Sequence, residues 1–307
     1  MKKFSVIIVL VLTAALIFTG CGNASQTASE SASESVSASE AASVSPSEAA
    51  SPSLEEVLIQ VAGSTSVGPV IEALAEKYME AHPNVSINVE QTGSGAGVTA
   101  CGDGTANMGM ASRDLKDDEK TLYPDMQTHL LCLDGLAIVV SKDNPVTELT
   151  AEQVKKIFLG EITDWSDVGG TAGEIILYSR DSVSGTREAF QNLFLGKNEA
   201  GEQIEIEDAM CQIVDSNGAM GTQVEANPMG IGYMSLGLVS EHNLTALTID
   251  GVAATTDNLM AGTYKYFRNF NLLTMGDPTG ELKSFMDYCM ADAEATDYMV
   301  SKGYLLP

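Results

Sequence analysis

Histidine is scarce in this 307-residue chain: His82, His129 and His242 stand far apart, which leaves little material for a histidine-based metal site. Cysteine is sparse too. Cys21, Cys101, Cys132, Cys211 and Cys289 form no C-x-x-C pair, so zinc-ribbon spacing is absent; one or two disulfides and free buried thiols both remain open. Basic residues are few, 16 Lys and Arg against 42 Asp and Glu, for a net charge of −26. Such a chain has no basic surface with which to hold nucleic acid. No glycine-rich stretch ends in Gly-Lys-Ser/Thr, which excludes a Walker loop. No Gly-x-Ser-x-Gly elbow follows a strand, and in Gly93-Ser94-Gly95-Ala96-Gly97 the serine stands second rather than third. A secreted serine hydrolase is therefore a poor reading, for want of a placed base.

The longest apolar run, residues 4–18, falls short of the ~20 residues a membrane span needs. With Lys2 and Lys3 before it and Phe18-Thr19-Gly20-Cys21 after it, it reads as a secretory signal over residues 1–20. Its end resembles a bacterial lipoprotein signal, and that resemblance implies a lipid on Cys21. Losing Lys2 and Lys3 takes the net charge from −26 to −28. Residues 21–53 are mostly Ser, Ala and Glu, with no aromatic residue, and cannot bury enough apolar surface to order. As a flexible coil that tether reaches roughly 30 Å.

The whole chain is 44% hydrophobic, enough for one or two domains with a sizeable core. Strand patterns at residues 57–62, 85–89 and 108–111 alternate with a helical face over 69–81 and a short helix around 98–101. That order argues an α/β fold with a mostly parallel sheet. A long extended stretch at 129–141 is a candidate crossing between lobes, and 231–235 the candidate return. The expected layout is a discontinuous lobe I, residues 54–135 and 236–307, and a lobe II, residues 136–235, with a ligand in the cleft between them.

Four segments place Ser, Thr, Gly or Arg where a strand gives way to a helix. They are Gly63-Ser64-Thr65-Ser66, Gly93-Ser94-Gly95-Ala96-Gly97, Ala111-Ser112-Arg113 and Arg180 with Ser184-Gly185-Thr186. Helix N-termini present unpaired N–H groups and a partial positive charge. Hydroxyls add donors, glycine lets the backbone approach, and an arginine clamps an oxyanion bidentately. Each segment alone is equally an ordinary cap or turn; converging, they would cage a tetrahedral anion.

In this order, and with Phe158-Leu159-Gly160-Glu161-Ile162-Thr163-Asp164-Trp165, the segments resemble the substrate-binding lipoproteins of phosphate ABC transporters over residues 57–303. The resemblance implies a two-lobed periplasmic-binding-protein fold of type II. It also implies a buried inorganic phosphate, no cofactor or metal, no enzymatic activity, and a monomer anchored on the extracytoplasmic face that serves a permease and its ATPase. It carries ligand roles onto Thr65, Ser66, Ser94, Ser112, Arg113, Arg180, Ser184, Gly185 and Thr186. Several family members have an aspartate after the third-motif serine, which accepts the phosphate's own proton. Here Arg113 stands there, and Asp114 or another nearby carboxylate is expected to take that part. Sulfate, molybdate or tungstate is the alternative ligand.

Overall fold

The computed structural model describes residues 55–307. The expected signal segment, Cys21 and the linker lie outside the described residues. Alternating and β-branched segments become strands wherever a helix can cover them. β1 (Val57–Gly63) leads into α1 (Gly68–Ala81), which has a proline in its first turn. Then come β2 (Val85–Gln91), α2 (Ser94–Gly102), β3 (Met108–Ala111), α3 (Asp117–Leu122) and the long β4 (Met126–Ser141). β1 pairs in parallel with both β2 and β3.

The chain continues through β5 (Glu148–Leu149) and α4 (Ala151–Phe158), opened by a Thr150/Gln153 capping box. β6 (Ile176–Arg180), α5 (Gly185–Phe190), β7 (Cys211–Val214), α6 (Asn217–Glu225) and β8 (Gly230–Ser235) follow. β9 (Leu244–Ala246), β10 (Thr248–Ile249), α7 (Thr256–Met260), β11 (Phe267–Met275), α8 (Gly280–Ala291) and α9 (Ala293–Ser301) complete it.

Among the described residues the main sheet runs β2-β1-β3-β11-β4-β8-β6-β7, with β9 also on β4. β4 belongs to two halves. Its residues 126–135 pair with β11, and its residues 136–141 pair with β8 and β9, all antiparallel. Among the described residues a large core lies in each lobe, and a smaller cluster gathers Val98, Cys101, Ala111, Leu115 and Leu273. The first lobe packs Ile59, Ile71, Leu74, Met110, Phe270 and Phe285; the second packs Ile138, Phe158, Trp165, Phe190, Tyr233 and Tyr264.

The return crossing differs from the sequence expectation. Residues 231–235 are β8, and they add to the second half-sheet opposite Leu136–Val140 instead of leaving it. The chain then stays in the second lobe, where Leu244, Leu247, Ile249 and Tyr266 join the core. It crosses back only where β11 meets Gly135 and Asp134. An apolar strand pattern states that a strand forms; its sheet is chosen by long-range pairing that the pattern does not contain. Cys101, Cys132 and Cys289 are buried free thiols, and Cys211 is a half-buried one.

Candidate functional site

The first loop turns on Ser64. Its Oγ accepts the N–H groups of Ser66 and Val67, at 3.1 and 3.3 Å, closing a turn at the start of α1. Thr65 and Ser66 are thereby aimed at the second lobe. Gly63 sits at φ 140°, and a Cβ there would meet the Met110 carbonyl oxygen at 2.2 Å. The loop can thus lie directly against β3. Beyond Gly93, α2 begins at Ser94, whose Oγ accepts the Ser112 N–H at 3.1 Å and lies 3.3 Å from the Ser112 hydroxyl.

The second lobe brings α5 and α6 to the same point. Ser184 caps α5 by accepting the Arg187 N–H. Gly185 faces the first lobe so closely that a Cβ would stand 2.2 Å from Ser94 Oγ and 2.8 Å from Ser112 Oγ. Thr186 Oγ1 lies 2.9 Å from Ser66 Oγ. Eight of the nine sequence-predicted ligand residues therefore sit at or beside one buried interlobe cluster. Thr65, Ser66, Ser94, Ser112, Arg180, Ser184 and Thr186 are all at most 4% exposed.

Arg180, at the end of β6, is 1% exposed. Its Nε donates to the Val214 carbonyl (3.2 Å) and its Nη2 to the Asp215 carbonyl (2.8 Å). Its Nη1 is buried without a hydrogen-bond partner among the described residues. Burial lowers its pKa, and the nearby Arg268 pushes the same way. Asp181, 3.9 Å from Nη2, opposes that lowering; a guanidinium bonded to two carbonyls, with Nη1 unbonded, is poised for an anion.

Arg113 is placed differently from the sequence expectation. Its guanidinium makes two bonds to Glu119 (2.7 and 2.6 Å), and its Nε lies 2.9 Å from Glu188 of α5. Lys116 reaches Glu188 as well, at 3.1 Å. Two carboxylates thus satisfy Arg113 and make it an interlobe ion pair rather than a donor to the cluster. Asp114 is also engaged elsewhere: it accepts from the side-chain amides of Asn269 (2.9 Å) and Asn271 (3.4 Å).

Three residues at the cluster carry no sequence motif. Arg268 stands opposite Asp134 in the β4–β11 register. Its Nε and Nη2 donate to Asp134 Oδ2 (3.0 and 2.9 Å), and Nη2 also donates to Ser66 Oγ (2.9 Å). Asp134 is fully buried; burial raises its pKa, while Arg268 and Ser235 pull the other way. Its Oδ1 accepts the Ser235 hydroxyl at 2.7 Å. Asn217, first residue of α6, places Nδ2 at 2.8 Å from Ser66 Oγ and 3.1 Å from Thr65 Oγ1. The signal available in the sequence was a lone Asp inside the apolar run at 129–141 and a lone Arg between Phe267 and Phe270, since buried charges need partners.

The cluster is a set of converging hydroxyl, amide and guanidinium donors. It can bind and desolvate a small oxyanion. A model of the PBP superfamily domain matches residues 24–293. A phosphate-binding protein PstS of Bacillus subtilis is 29% identical over 306 residues, covering 99% of this chain and 95% of that protein. A Clostridium perfringens protein, assigned as a phosphate ABC transporter substrate-binding protein and solved with bound phosphate, is 36% identical. It superposes with a TM-score of 0.74 over 81% of this chain and 99% of its own. An ABC-type phosphate transport receptor from Vibrio cholerae is 34% identical, with a TM-score of 0.65 over 81% of this chain and 100% of its own.

Proposed function

The chain belongs to the PBP superfamily, and from that premise we propose that it captures inorganic phosphate outside the cytoplasm and delivers it to an ABC permease. It is a binding protein, and no covalent step is involved. The observation that carries this reading is Arg180 Nη1, a buried cationic donor with no hydrogen-bond partner among the described residues, in the lobe whose Thr186 hydroxyl meets Ser66 of the other lobe. The anion joins the lobes: Thr65, Ser66, Ser94 and Ser112 come from one, and Arg180, Gly185 and Thr186 from the other. Binding therefore favours the closed arrangement. The lobes turn about the two crossings, Gly135 on β4 and the start of β11.

Cys21 carries the lipid, and residues 21–53 tether a monomeric receptor to the membrane within reach of the permease and its ATPase. Calorimetric titration of phosphate and of sulfate into the purified protein, with small-angle scattering of both states, tests this. One phosphate per chain and a smaller radius of gyration with phosphate are expected. Preference for sulfate, or no binding of phosphate, would reject the assignment.

A further inference from the structure

The cluster contains a closed ring of hydrogen bonds that fixes which way its hydroxyls point. Ser235 N–H donates to Asn217 Oδ1 at 3.1 Å. That contact sets the amide orientation, because only the oxygen can accept, and it turns Nδ2 toward the hydroxyls. Thr65 Oγ1 then receives two donors from one residue, Asn217 Nδ2 at 3.1 Å and the Asn217 backbone N–H at 3.3 Å. Ser66 Oγ also receives two, Asn217 Nδ2 at 2.8 Å and Arg268 Nη2 at 2.9 Å. The ring closes through Asp134, which holds Arg268 on one oxygen and Ser235 on the other. All six residues are buried.

A hydroxyl has one proton and two lone pairs. With both lone pairs of Thr65 and Ser66 taken by N–H groups that cannot accept, each can act only as a donor. Ser66 spends its proton on Thr186 Oγ1 at 2.9 Å, and Asn217 Nδ2 lies 3.4 Å from that same oxygen. With one Thr186 lone pair filled by Ser66, the Thr186 O–H is free to turn to an anion. Among the described residues no acceptor takes the Thr65 proton.

We infer that Asn217 is a positioning residue that polarises Thr65 and Ser66 into obligate donors, Ser66 passing its proton to Thr186, so that lobe closure itself converts neutral hydroxyls into an anion cage. Thr65 and Ser66 belong to the first lobe and Asn217 to the second, so the polarisation exists only when the lobes meet. The inference rests on the phosphate reading above and adds to it a residue and a reason for its polarity. The fixed donors serve the unprotonated oxygens of the phosphate, and its P–OH needs an acceptor outside this set.

The test compares Asn217→Ala with Asn217→Asp by calorimetry with inorganic phosphate at pH 7.5. If residue 217 only fills space, the isosteric Asp is the milder change. If it supplies donors, Ala weakens binding roughly tenfold and Asp at least roughly a hundredfold, because a carboxylate draws the hydroxyl protons to itself. Affinity of Asn217→Asp should also recover as pH falls and the new carboxyl becomes a donor. Asp binding as tightly as wild type, or more tightly than Ala, overturns the inference while leaving the phosphate reading intact. Wild type that binds no phosphate overturns both. Neutron diffraction of the deuterated wild-type protein provides a measurement free of any variant. The Thr65 deuteron should point away from Asn217, and a deuteron directed at Asn217 refutes the polarity.

Discussion

Arg180→Ala should remove most of the phosphate affinity while changing the unliganded protein little. The guanidinium in the unliganded state has two opposing contributions. It satisfies the Val214 and Asp215 carbonyls, but it is a buried cation whose pKa burial lowers. Truncation exposes two carbonyls to an incomplete environment and also removes a buried charge whose carboxylate neighbour, Asp181, lies 3.9 Å away, and these effects offset in part. With the anion bound the balance is one-sided. Removing one partner of a buried, hydrogen-bonded charge pair costs about 2–5 kcal/mol. At 1.4 kcal/mol per decade that is a loss of roughly thirty- to several-thousand-fold in affinity.

Thermal unfolding separates the two states. Ligand at a thousandfold excess over its dissociation constant stabilises by about 4.1 kcal/mol. For a folded body of this size, at 2–4 °C per kcal/mol, wild type should gain roughly 10 °C. A variant weakened a thousandfold, at the same phosphate concentration, retains about 0.4 kcal/mol of that and gains roughly 1 °C. An Arg180→Ala protein that keeps the wild-type phosphate shift refutes the reasoning, because the buried Nη1 would then have no bearing on the anion. Loss of the fold without phosphate would instead show that the two carbonyl bonds dominate and that Arg180 is a structural residue rather than a poised cation.

Two further outcomes test neighbouring parts of the molecule. Glu188→Gln should weaken phosphate binding by about fivefold, the equivalent of about 1 kcal/mol for a partly shielded ion pair that exists only between closed lobes, and high salt should shrink the difference between variant and wild type; equal calorimetric affinities at low salt would show that the Arg113–Glu188–Lys116 contact does not bias closure. Cys21→Ala should release the protein from membranes and abolish fatty-acid labelling, and a variant that stays labelled and membrane-bound refutes the anchor.

Local order was legible wherever one periodicity dominated. The strands β1 and β2, the helix α1 and the Thr150 capping box follow from spacing that the neighbouring residues cannot easily satisfy otherwise. The glycine-rich segment at 93–97 was legible in chemistry but not in shape. It reads as a turn, yet all of it beyond Gly93 is the first part of α2. Gly93 turns the chain at φ 97°, whereas Gly97 serves close approach: a Cβ there would fall 2.6 Å from Gly63 Cα, so the helix lies over the end of β1. Arg113 was legible as a charge beside the site but not in its partners. Glu119 is six residues away and visible, but Glu188 belongs to the other lobe. Arg268, Asp134 and Asn217 were not legible as site residues, because each reaches the cluster through a contact spanning more than a hundred residues. The Arg268–Asp134 pair depends on one register between β4 and β11, and slipping that register by one residue would turn Arg268 to the opposite face.

The charge of the chain sharpens what the cluster must do. At a net −26 the surface as a whole repels a small anion, yet the cage concentrates Arg180 and Arg268, with Asp134 buried against Arg268 and the partly exposed Asp181 3.9 Å from Arg180. Surface carboxylates act through solvent and salt, and their field fades over about 8 Å at physiological ionic strength. The two guanidiniums and the oriented hydroxyls act where water is excluded and screening is weak. The contest between a global field and a local one is therefore decided by distance and dielectric rather than by the count of charges. The same logic explains why Arg113 is better spent outside the cage. A third buried cation would raise the cost of the unliganded state, whereas between Glu119 and Glu188 it is neutralised and holds the lobes together. Acidic residues at the rim thus do not oppose capture: by claiming Arg113 and Lys116 across the cleft, Glu188 turns part of the negative surface into a contact that closed lobes make and open lobes lose.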